Sequence, residues 1–186
     1  FAIGILHTGL NLDPIKAPVN PSVLLSAGMD YWACGHIHMR YIHPSDDGPR
    51  IAFSGCIQGR DIKETGPRGA QLVTLSEGAV PQLEFIPTAS VVWQRLRVDV
   101  SDCTTLPEIS DLIIRELFRA NGKAICEEMI SRIALTGTTA LHEVLSRSDV
   151  LEDLRKHVND SYASFFCDTM VDETQEPRDK QALREE

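Results

Sequence analysis

Two histidines separated by a single residue are the strongest chemical signal in the sequence. They lie in the tetrapeptide Gly35-His36-Ile37-His38, which follows the apolar run Tyr31-Trp32-Ala33-Cys34. In an extended backbone the side chains of residues i and i+2 point to the same side, so both imidazoles could reach a pair of adjacent metal ions. Gly35 lets the main chain turn tightly beside a ligand. By itself, the pattern favours a half-buried strand with two hydrogen-bonded histidines over a metal site.

A third histidine ends an apolar run near the start of the sequence. The run Ile3-Gly4-Ile5-Leu6 predicts a short buried strand, and His7 follows it directly. In α/β sheets, ligands commonly lie at the ends of such strands. Further along, the chain contains in order the apolar run Ile51-Ala52-Phe53, a Ser54-Gly55 turn, Arg60 and Glu64. The order of these features is more distinctive than any one of them.

This order resembles the second half of the calcineurin-like metallophosphoesterases, and among them the SbcD-type DNA repair exonucleases, including the YhaO-like branch. In that family a strand ending in histidine, a Gly-His-x-His turn, and a Ser/Pro-Gly turn with a following Arg and Glu occur in the same order along the chain. The stretch from Glu84 to Val100 resembles the exit from the phosphoesterase domain into a capping domain. The resemblance implies an α/β (α+β) fold: the second half of a metallophosphoesterase β-sandwich flanked by helices, followed by a small β-α-β-α-β capping domain.

The resemblance also implies a centre of two divalent metal ions. Manganese is the expected metal, because imidazole and carboxylate ligands together suit it. His7 and His36 would bind one ion, and His38 would bind the other. Asp30 is a candidate for orienting a ligating histidine, and it fits an ordinary turn residue before a strand equally well. Arg60 is the first candidate among the nearby arginines to face a phosphate, the alternative being a solvated surface charge.

The first half of the family supplies an Asp-x-His, a bridging Asp and an Asn-His pair before this point, and no such Asp-x-His or Gly-Asn-His occurs in the sequence. We therefore expect a fragment that lacks the amino-terminal half of its catalytic domain and is inactive alone. The parent protein is expected to be a two-metal DNA exo/endonuclease of the repair type. Two alternatives stay open: a phosphoesterase acting on small phosphate esters, and an inert module that binds DNA or a protein. The implied partners are DNA, a coiled-coil ATPase of the SbcC type, and a second copy paired through the missing half.

Composition and charge narrow these classes. The 186 residues are 42% hydrophobic and 24% charged, which is typical of a soluble globular protein. No apolar run approaches the roughly 18 residues that span a bilayer, so no membrane contact is expected. Five cysteines without a Cys-x-x-Cys pair predict a reducing, cytoplasmic location.

The distribution of charge limits how DNA can be held. The net charge is −9, with −2 over residues 1–90 and −7 over residues 91–186. A protein that grips duplex DNA normally presents a basic face, so contact with DNA must here be local. In the second half of the chain the candidates for such contact are Arg95, Arg97 and Arg132.

The elements that position these residues fall into three regions. Short apolar runs between Gly- and Pro-rich turns predict a sheet-dominated region over residues 1–90, the carboxyl-terminal half of the phosphoesterase domain. Residues 91–172 are the expected capping domain, which begins with an alternating strand and continues with helices. Within it we predict a helix that ends at Asn121-Gly122, a turn at Thr136-Gly137, and a helix capped by Ser148. Residues 173–186 are rich in charge and predict a solvated tail.

Overall fold

The computed structural model describes residues 1–46, 48–124 and 126–177. The chain divides into two compact units, Phe1–Ser90 (unit 1) and Val91–Glu186 (unit 2). Both units combine strands with helices, which confirms the α+β fold class. In the described part of the chain, every helix is too short or too polar to cross a membrane. The assignment of the units as a phosphoesterase half and a capping domain stays a prediction.

A four-stranded sheet positions the histidines of unit 1. Its strands are β1 (Ile3–His7), β2 (Tyr31–Gly35), β3 (Tyr41–Ile42) and β4 (Ile51–Phe53), and their order in the sheet is β1-β2-β4-β3. The strands β1, β2 and β4 are parallel, whereas β3 is antiparallel to β4. The last residues of β1 and β2, His7 and Gly35, are register partners. His7 and the Gly-His-x-His segment therefore lie at the same edge of the sheet.

Unit 1 is completed by a short helix and a hairpin. The helix α1 (Pro21–Leu25) is capped by Asn20, whose side-chain oxygen accepts the N–H of Ser22 at 3.0 Å. The hairpin consists of β5 (Gly69–Thr74) and β6 (Gln82–Pro87). The core of the unit is small and is formed by Leu10, Leu24, Cys34, Ile51 and Phe53.

Unit 2 is a parallel three-stranded sheet with helices between its strands. Its elements in chain order are β7 (Val91–Asp99), α2 (Leu106–Ala124), β8 (Glu128–Thr138), α3 (His142–Leu145), α4 (Ser148–Ser161) and β9 (Phe165–Gln175). The sheet order is β7-β8-β9, and right-handed connections in that order place both crossovers on one face. In agreement, α2 packs against β7 and α4, and α4 packs against β9. On the strand β7, Val92 and Val98 are buried, while Arg95 and Arg97 are exposed, which confirms the predicted strand with one polar side.

Three details of unit 2 differ from the sequence prediction. The helix α2 continues through Asn121-Gly122 to Ala124, because Ala120 and Ala124 are buried and this packing outweighs the roughly 1 kcal/mol cost of a helical glycine. Thr136 and Gly137 lie inside β8, and Gly137 has a φ of +100°. Ser148 is the first residue of α4, and the capping position belongs to Arg147, which makes no side-chain capping bond.

The predicted tail begins too early. Glu173, Thr174 and Gln175 belong to β9, where they pair with Thr136, Gly137 and Thr138 of β8. The ladder with β8 and the burial of Thr174 outweigh the high charge of this stretch. Within the remainder of the predicted tail, residues 178–186 lie outside the described residues.

Candidate metal centre

The structure brings His7 and His36 together at the carboxyl ends of β1 and β2. Nε2 of His7 lies 3.1 Å from Nδ1 of His36, and the two rings meet edge to face with their centroids 5.0 Å apart. Two nitrogens that each lie about 2.0–2.2 Å from one cation, at angles of about 90–110°, are separated by roughly 2.8–3.6 Å. The spacing of these two nitrogens therefore fits two ligands of a common metal ion.

His36 has a strained backbone, which corrects the prediction of an extended Gly-His-x-His. The strand β2 ends at Gly35, and the φ of His36 is +108°. A residue other than glycine in such a conformation costs on the order of 1–3 kcal/mol, and strain of this kind concentrates at functional sites. Because the strand geometry is lost, side-chain alternation no longer relates His36 to His38. The ring of His36 faces His7, whereas the ring of His38 faces Glu64.

Each ring of the His-x-His pair is held by a carboxylate. Nε2 of His36 lies 3.0 Å from Oδ2 of Asp13, and Nδ1 of His38 lies 2.5 Å from Oε1 of Glu64. The hydrogen bond with His36 lowers the pKa of Asp13 to about 2, with further contributions from the backbone N–H groups of Lys16 and Ile15. The pKa of Glu64 is also lowered, first by His38 and then by the backbone N–H of Arg60.

The second oxygen of each carboxylate accepts backbone N–H groups. Oδ1 of Asp13 accepts the N–H groups of Ile15 and Lys16, both at 3.0 Å. Oε2 of Glu64 accepts the N–H of Arg60 at 2.8 Å. The Glu64 side chain is only 12% exposed, whereas the His38 side chain is 55% exposed. Each carboxylate is thus bonded to the main chain through one oxygen and to an imidazole through the other.

A glycine and a buried arginine hold the backbone of His38. Gly55 has a φ of +81°, and a Cβ at this position would lie 2.7 Å from the carbonyl oxygen of His38. The same carbonyl accepts the N–H of Cys56 at 3.0 Å and Nη1 of Arg68 at 2.5 Å. Arg68 also donates to the carbonyl of Thr65 at 2.8 Å. These bonds fix the turn that carries His38 against the loop that carries Glu64.

The arginines that flank the candidate ligands in the sequence, Arg40, Arg50, Arg60 and Arg68, have different surroundings. Arg68 is 7% exposed and is committed to backbone carbonyls, so it does not face a phosphate. Arg50 donates to the carbonyl of Met29, and Arg40 lies over the ring of Phe85. Arg60 is exposed, and its role toward a phosphate stays a prediction.

Asp30 lies at the opposite end of the strands from the histidines. Its Oδ2 accepts the N–H of Ala2 at 2.7 Å, and its own N–H donates to the carbonyl of Ala2. Gly35 lies five residues further along the extended chain, which corresponds to about 16 Å. Of its two interpretations, the turn residue before a strand fits, and the position does not suit a residue that orients a ligating histidine. A cavity of about 780 Å³ borders Asp30 and Arg50, again away from His7.

Sequence reasoning missed Asp13 entirely and quoted Glu64 only as part of a motif. Asp13 follows His7 by six residues and precedes a proline, and an Asp-Pro in a loop is a turn signal that also presents a carboxylate. Neither residue has a periodic pattern that would link it to a particular histidine.

The donor set fits part of a metal centre and does not complete one. Within residues 1–46, 48–124 and 126–177, no three His, Cys, Asp or Glu side chains form a group that could hold a metal ion. Asp13 binds Nε2 of His36 and Glu64 binds Nδ1 of His38, so each histidine keeps its other ring nitrogen for a metal ion. In this respect the two carboxylates resemble those that orient metal-binding histidines. The assignment of His7, His36 and His38 as metal ligands stays a prediction.

Two comparisons with known proteins relate the chain to metallophosphoesterases. Residues 93–175 match the family model for the middle domain of metallophosphoesterase YhaO. Over 144 residues the chain is 34% identical to the uncharacterized metallophosphoesterase YhaO of Bacillus subtilis (strain 168). That match covers 74% of this chain and 34% of the relative, so the chain spans about a third of the length of the protein it matches. Together the two matches support a relationship to the metallophosphoesterase family.

Proposed function

We propose that this chain is part of a metallophosphoesterase that hydrolyses phosphodiester bonds in DNA during repair, with two divalent metal ions, expected to be manganese. The observation that carries the proposal is the pair of ring nitrogens of His7 and His36, 3.1 Å apart at the ends of adjacent parallel strands. The similarity to metallophosphoesterases supports the reaction class. In this proposal the remaining metal ligands come from residues that precede the chain in the full-length protein.

The residues of this chain would divide the work of the site. His7 and His36 would hold one ion, and His38 would offer its Nε2 to the second, because its Nδ1 is bound to Glu64. When bound, divalent ions act as Lewis acids toward water and the phosphoryl oxygens. The exposed guanidinium of Arg60, on the residue whose N–H anchors Glu64, would contact the phosphate.

The choice of DNA over small phosphate esters rests on unit 2. The sheet face opposite its helices is exposed and carries Arg95 in register with Arg132. Arg132 lies 2.7 Å from Asp168, and Arg97 lies 2.6 Å from Glu173, so two of the three predicted DNA contacts are partly neutralised. Such a face would contact a few phosphates rather than hold a duplex strongly, and unit 2 would thus select the substrate without doing chemistry. A phosphoesterase acting on small esters is the alternative within the same reaction class.

A second candidate is an inert interaction module. The lack of any complete group of metal-binding side chains in the described residues favours it for this chain when it is separated from the rest of the protein. Both candidates agree that the chain alone is inactive, and they differ in what the full-length protein does.

Partners and location complete the proposal. We propose DNA, a coiled-coil ATPase subunit of the SbcC type, and a second copy of the protein as partners. A cytoplasmic location is consistent with the five cysteines, all of which are free thiols.

Replacing the histidines in the full-length protein tests the metal site. His36→Ala and His38→Ala should each reduce manganese-dependent cleavage of duplex DNA at least about 100-fold, since changes in the residues behind metal ligands already cost roughly 10–100-fold. His157→Ala, which alters an exposed histidine of α4, is the matched control and should leave cleavage unchanged. Near-normal turnover of His36→Ala with unchanged thermal stability would refute the assignment.

A charge reversal on unit 2 separates DNA from small esters as the substrate. Arg95→Glu should slow cleavage of duplex DNA and leave hydrolysis of a small chromogenic phosphodiester unchanged. Arg119→Glu makes the same change on helix α2 and serves as the control. If Arg95 binds a phosphate, Arg95→Glu should also reduce the salt dependence of DNA binding, by about 0.9 in the slope of log K against log salt for each phosphate that is no longer neutralised. Equal rates of wild type and Arg95→Glu on duplex DNA would favour the small-ester alternative.

A further inference from the structure

We infer that Asp13 and Glu64 are positioning residues that fix the tautomers of His36 and His38 in opposite senses, so that His36 presents Nδ1 and His38 presents Nε2 as the free lone pair. The inference deepens the proposed function, on which it rests only for the use of these lone pairs as metal ligands. It assigns roles to the two carboxylates that contact the rings of His36 and His38.

A backbone N–H can only donate, so the N–H groups around Asp13 determine which of its oxygens is left for His36. Oδ1 of Asp13 accepts the N–H groups of Ile15 and Lys16, so only Oδ2 is left for His36. A carboxylate oxygen can only accept, so the nitrogen of His36 that faces it, Nε2, must carry the proton. In the neutral ring Nδ1 is then unprotonated, and it is the nitrogen that faces Nε2 of His7 at 3.1 Å.

The same logic applies to His38 with the ring nitrogens exchanged. Oε2 of Glu64 accepts the N–H of Arg60, and Oε1 lies 2.5 Å from Nδ1 of His38. Nδ1 must therefore carry a proton, and in the neutral ring Nε2 keeps its lone pair. In free histidine the tautomer with the proton on Nε2 is the more stable one. Glu64 thus holds His38 against its intrinsic preference, whereas Asp13 reinforces the preference of His36.

Amide variants of the two carboxylates should invert both tautomers. An amide has one accepting oxygen and one donating NH₂ group. In Asp13→Asn the oxygen stays on the N–H groups of Ile15 and Lys16, so the NH₂ group faces Nε2 of His36 and moves the ring proton to Nδ1. In Glu64→Gln the oxygen stays on the N–H of Arg60, and the NH₂ group moves the proton of His38 to Nε2. Each variant places a proton on the nitrogen that would bind the metal.

This mechanism separates positioning from simple structural support. If Asp13 only supported the loop, alanine would be more harmful than the nearly isosteric asparagine. If it fixes the tautomer of His36, Asp13→Asn should lose more Mn²⁺ affinity than Asp13→Ala, because alanine leaves the ring free to choose its tautomer. We expect Asp13→Asn and Glu64→Gln to weaken Mn²⁺ binding by about 10–100-fold.

The test uses the full-length protein with ¹⁵N-labelled histidine, after removal of metal and at a pH about two units above the ordinary histidine pKa of about 6.5. Long-range ¹H–¹⁵N spectra report which ring nitrogen is protonated, and His36→Ala and His38→Ala assign the signals. We expect the wild type to show His36 protonated on Nε2 and His38 on Nδ1, and the amide variants to show both reversed. Calorimetric titration with Mn²⁺ gives the affinities, and Asp46→Asn and Glu77→Gln, at exposed acids of unit 1, control for the loss of charge.

The outcomes distinguish this inference from the proposed function. Unchanged tautomers in Asp13→Asn and Glu64→Gln, or a wild-type proton on the nitrogen assigned as free, would overturn the inference even if the enzyme cleaves DNA. A wild type that shows the expected tautomers but neither binds Mn²⁺ nor hydrolyses phosphodiesters would overturn the proposed function alone. Because the two carboxylates act on different rings, Glu64→Gln tests the inference independently if Asp13→Asn does not fold.

Discussion

The two units of this chain use their residues in opposite ways. Among the described residues, the largest fully buried side chains of unit 1 are Leu10, Ile51 and Phe53, whereas unit 2 buries a larger set that includes Ile109, Ile113 and Leu117. Unit 1 instead leaves large apolar side chains of its first strand exposed, with Ile3 at 55% and Ile5 at 85%. The candidate metal site lies in unit 1, on turns that follow short strands, where the rings of His7 and His36 meet. In unit 2, His142 lies 3.5 Å from Asp172.

The difference shows how a site can be rigid where the core is small. In unit 2, packing of α2 and α4 on a parallel sheet supplies the order. In unit 1, hydrogen bonds to the main chain replace it, since the turn of His38 is fixed by Gly55, Cys56 and Arg68. Functional residues commonly lie on loops that a scaffold positions. Here the scaffold of the loop is largely polar.

The largest effect that we expect is on the core of unit 2. Leu117 is fully buried in α2, and Leu117→Ala should lower the free energy of unfolding by about 2–5 kcal/mol, because it leaves a cavity. Chemical denaturation of residues 1–186 alone measures the change. Ile5→Ala, the matched control on the exposed face of β1, should stay within about 0.5 kcal/mol of wild type. A destabilisation by Ile5→Ala as large as that by Leu117→Ala would break the comparison, since it would show that another segment covers β1.

The next effect concerns the turn that carries His38. Gly55→Ala should cost more than the roughly 1–3 kcal/mol of a left-handed residue, because the new Cβ would also meet the carbonyl of His38 and the N–H of Arg40. Gly78 has a similar φ, +71°, and open space around its Cβ position. Gly78→Ala therefore experiences only the backbone strain. The difference between the two variants in unfolding free energy measures the steric clash at Gly55, and equal destabilisation would show that the turn of His38 is not closely packed.

The start of α2 should show a smaller effect. The N–H of Glu108 donates to Oγ1 of Thr105 at 3.4 Å, and the carboxylate of Glu108 accepts the N–H of Thr105 at 3.2 Å. This reciprocal arrangement is a capping box. Thr105→Ala should lower the free energy of unfolding by about 0.5–2 kcal/mol, whereas Thr105→Ser keeps the hydroxyl and should remain close to wild type. Equal stability of the alanine and serine variants in thermal denaturation would contradict the cap.

The sequence predicted those elements that are determined by residues close together along the chain. The strand β7 follows from the alternation of Val92, Gln94 and Val98 with charged residues. The predicted end of α2 was wrong, because the helix-ending signal of Gly122 is local, whereas the burial of Ala124 depends on tertiary packing.

The candidate site was predicted less completely. A histidine at the end of an apolar run indicates a strand end. The sequence therefore predicted that His7 and the Gly-His-x-His segment both lie at the ends of strands. The partners of the rings could not, because Asp13 and Glu64 are 23 and 26 residues away from the histidines they bind. The positive φ of His36 also has no signal in the sequence, since glycine, which favours such angles, occupies the preceding position instead.

The smallest expected effect concerns Glu108 in unit 2. It tests whether the charge of this carboxylate stabilises helix α2 without influencing metal binding. Hydrogen bonds from the backbone N–H and the hydroxyl of Thr104, and then from Thr105, lower the pKa of Glu108. A carboxyl group with a lower pKa in the folded state stabilises the fold above its unfolded pKa, about 4.3, and this contribution is lost as the pH falls through the folded value. The difference in unfolding free energy between wild type and Glu108→Gln should therefore be largest near pH 6 and shrink toward pH 3.

Denaturation of both proteins across that range measures the difference. Glu116→Gln removes a carboxylate from the middle of α2, where it lies 3.6 Å from Arg119, and controls for the change in net charge. Manganese affinity should be the same for all three proteins, because Glu108 binds the start of a helix whereas Asp13 and Glu64 bind imidazoles. A difference that stays constant from pH 6 to pH 3 would show that the charge of Glu108 does not stabilise α2. A change in Mn²⁺ affinity would instead mean that carboxylates of unit 2 influence the metal site, and the functional contrast between the two units would not hold.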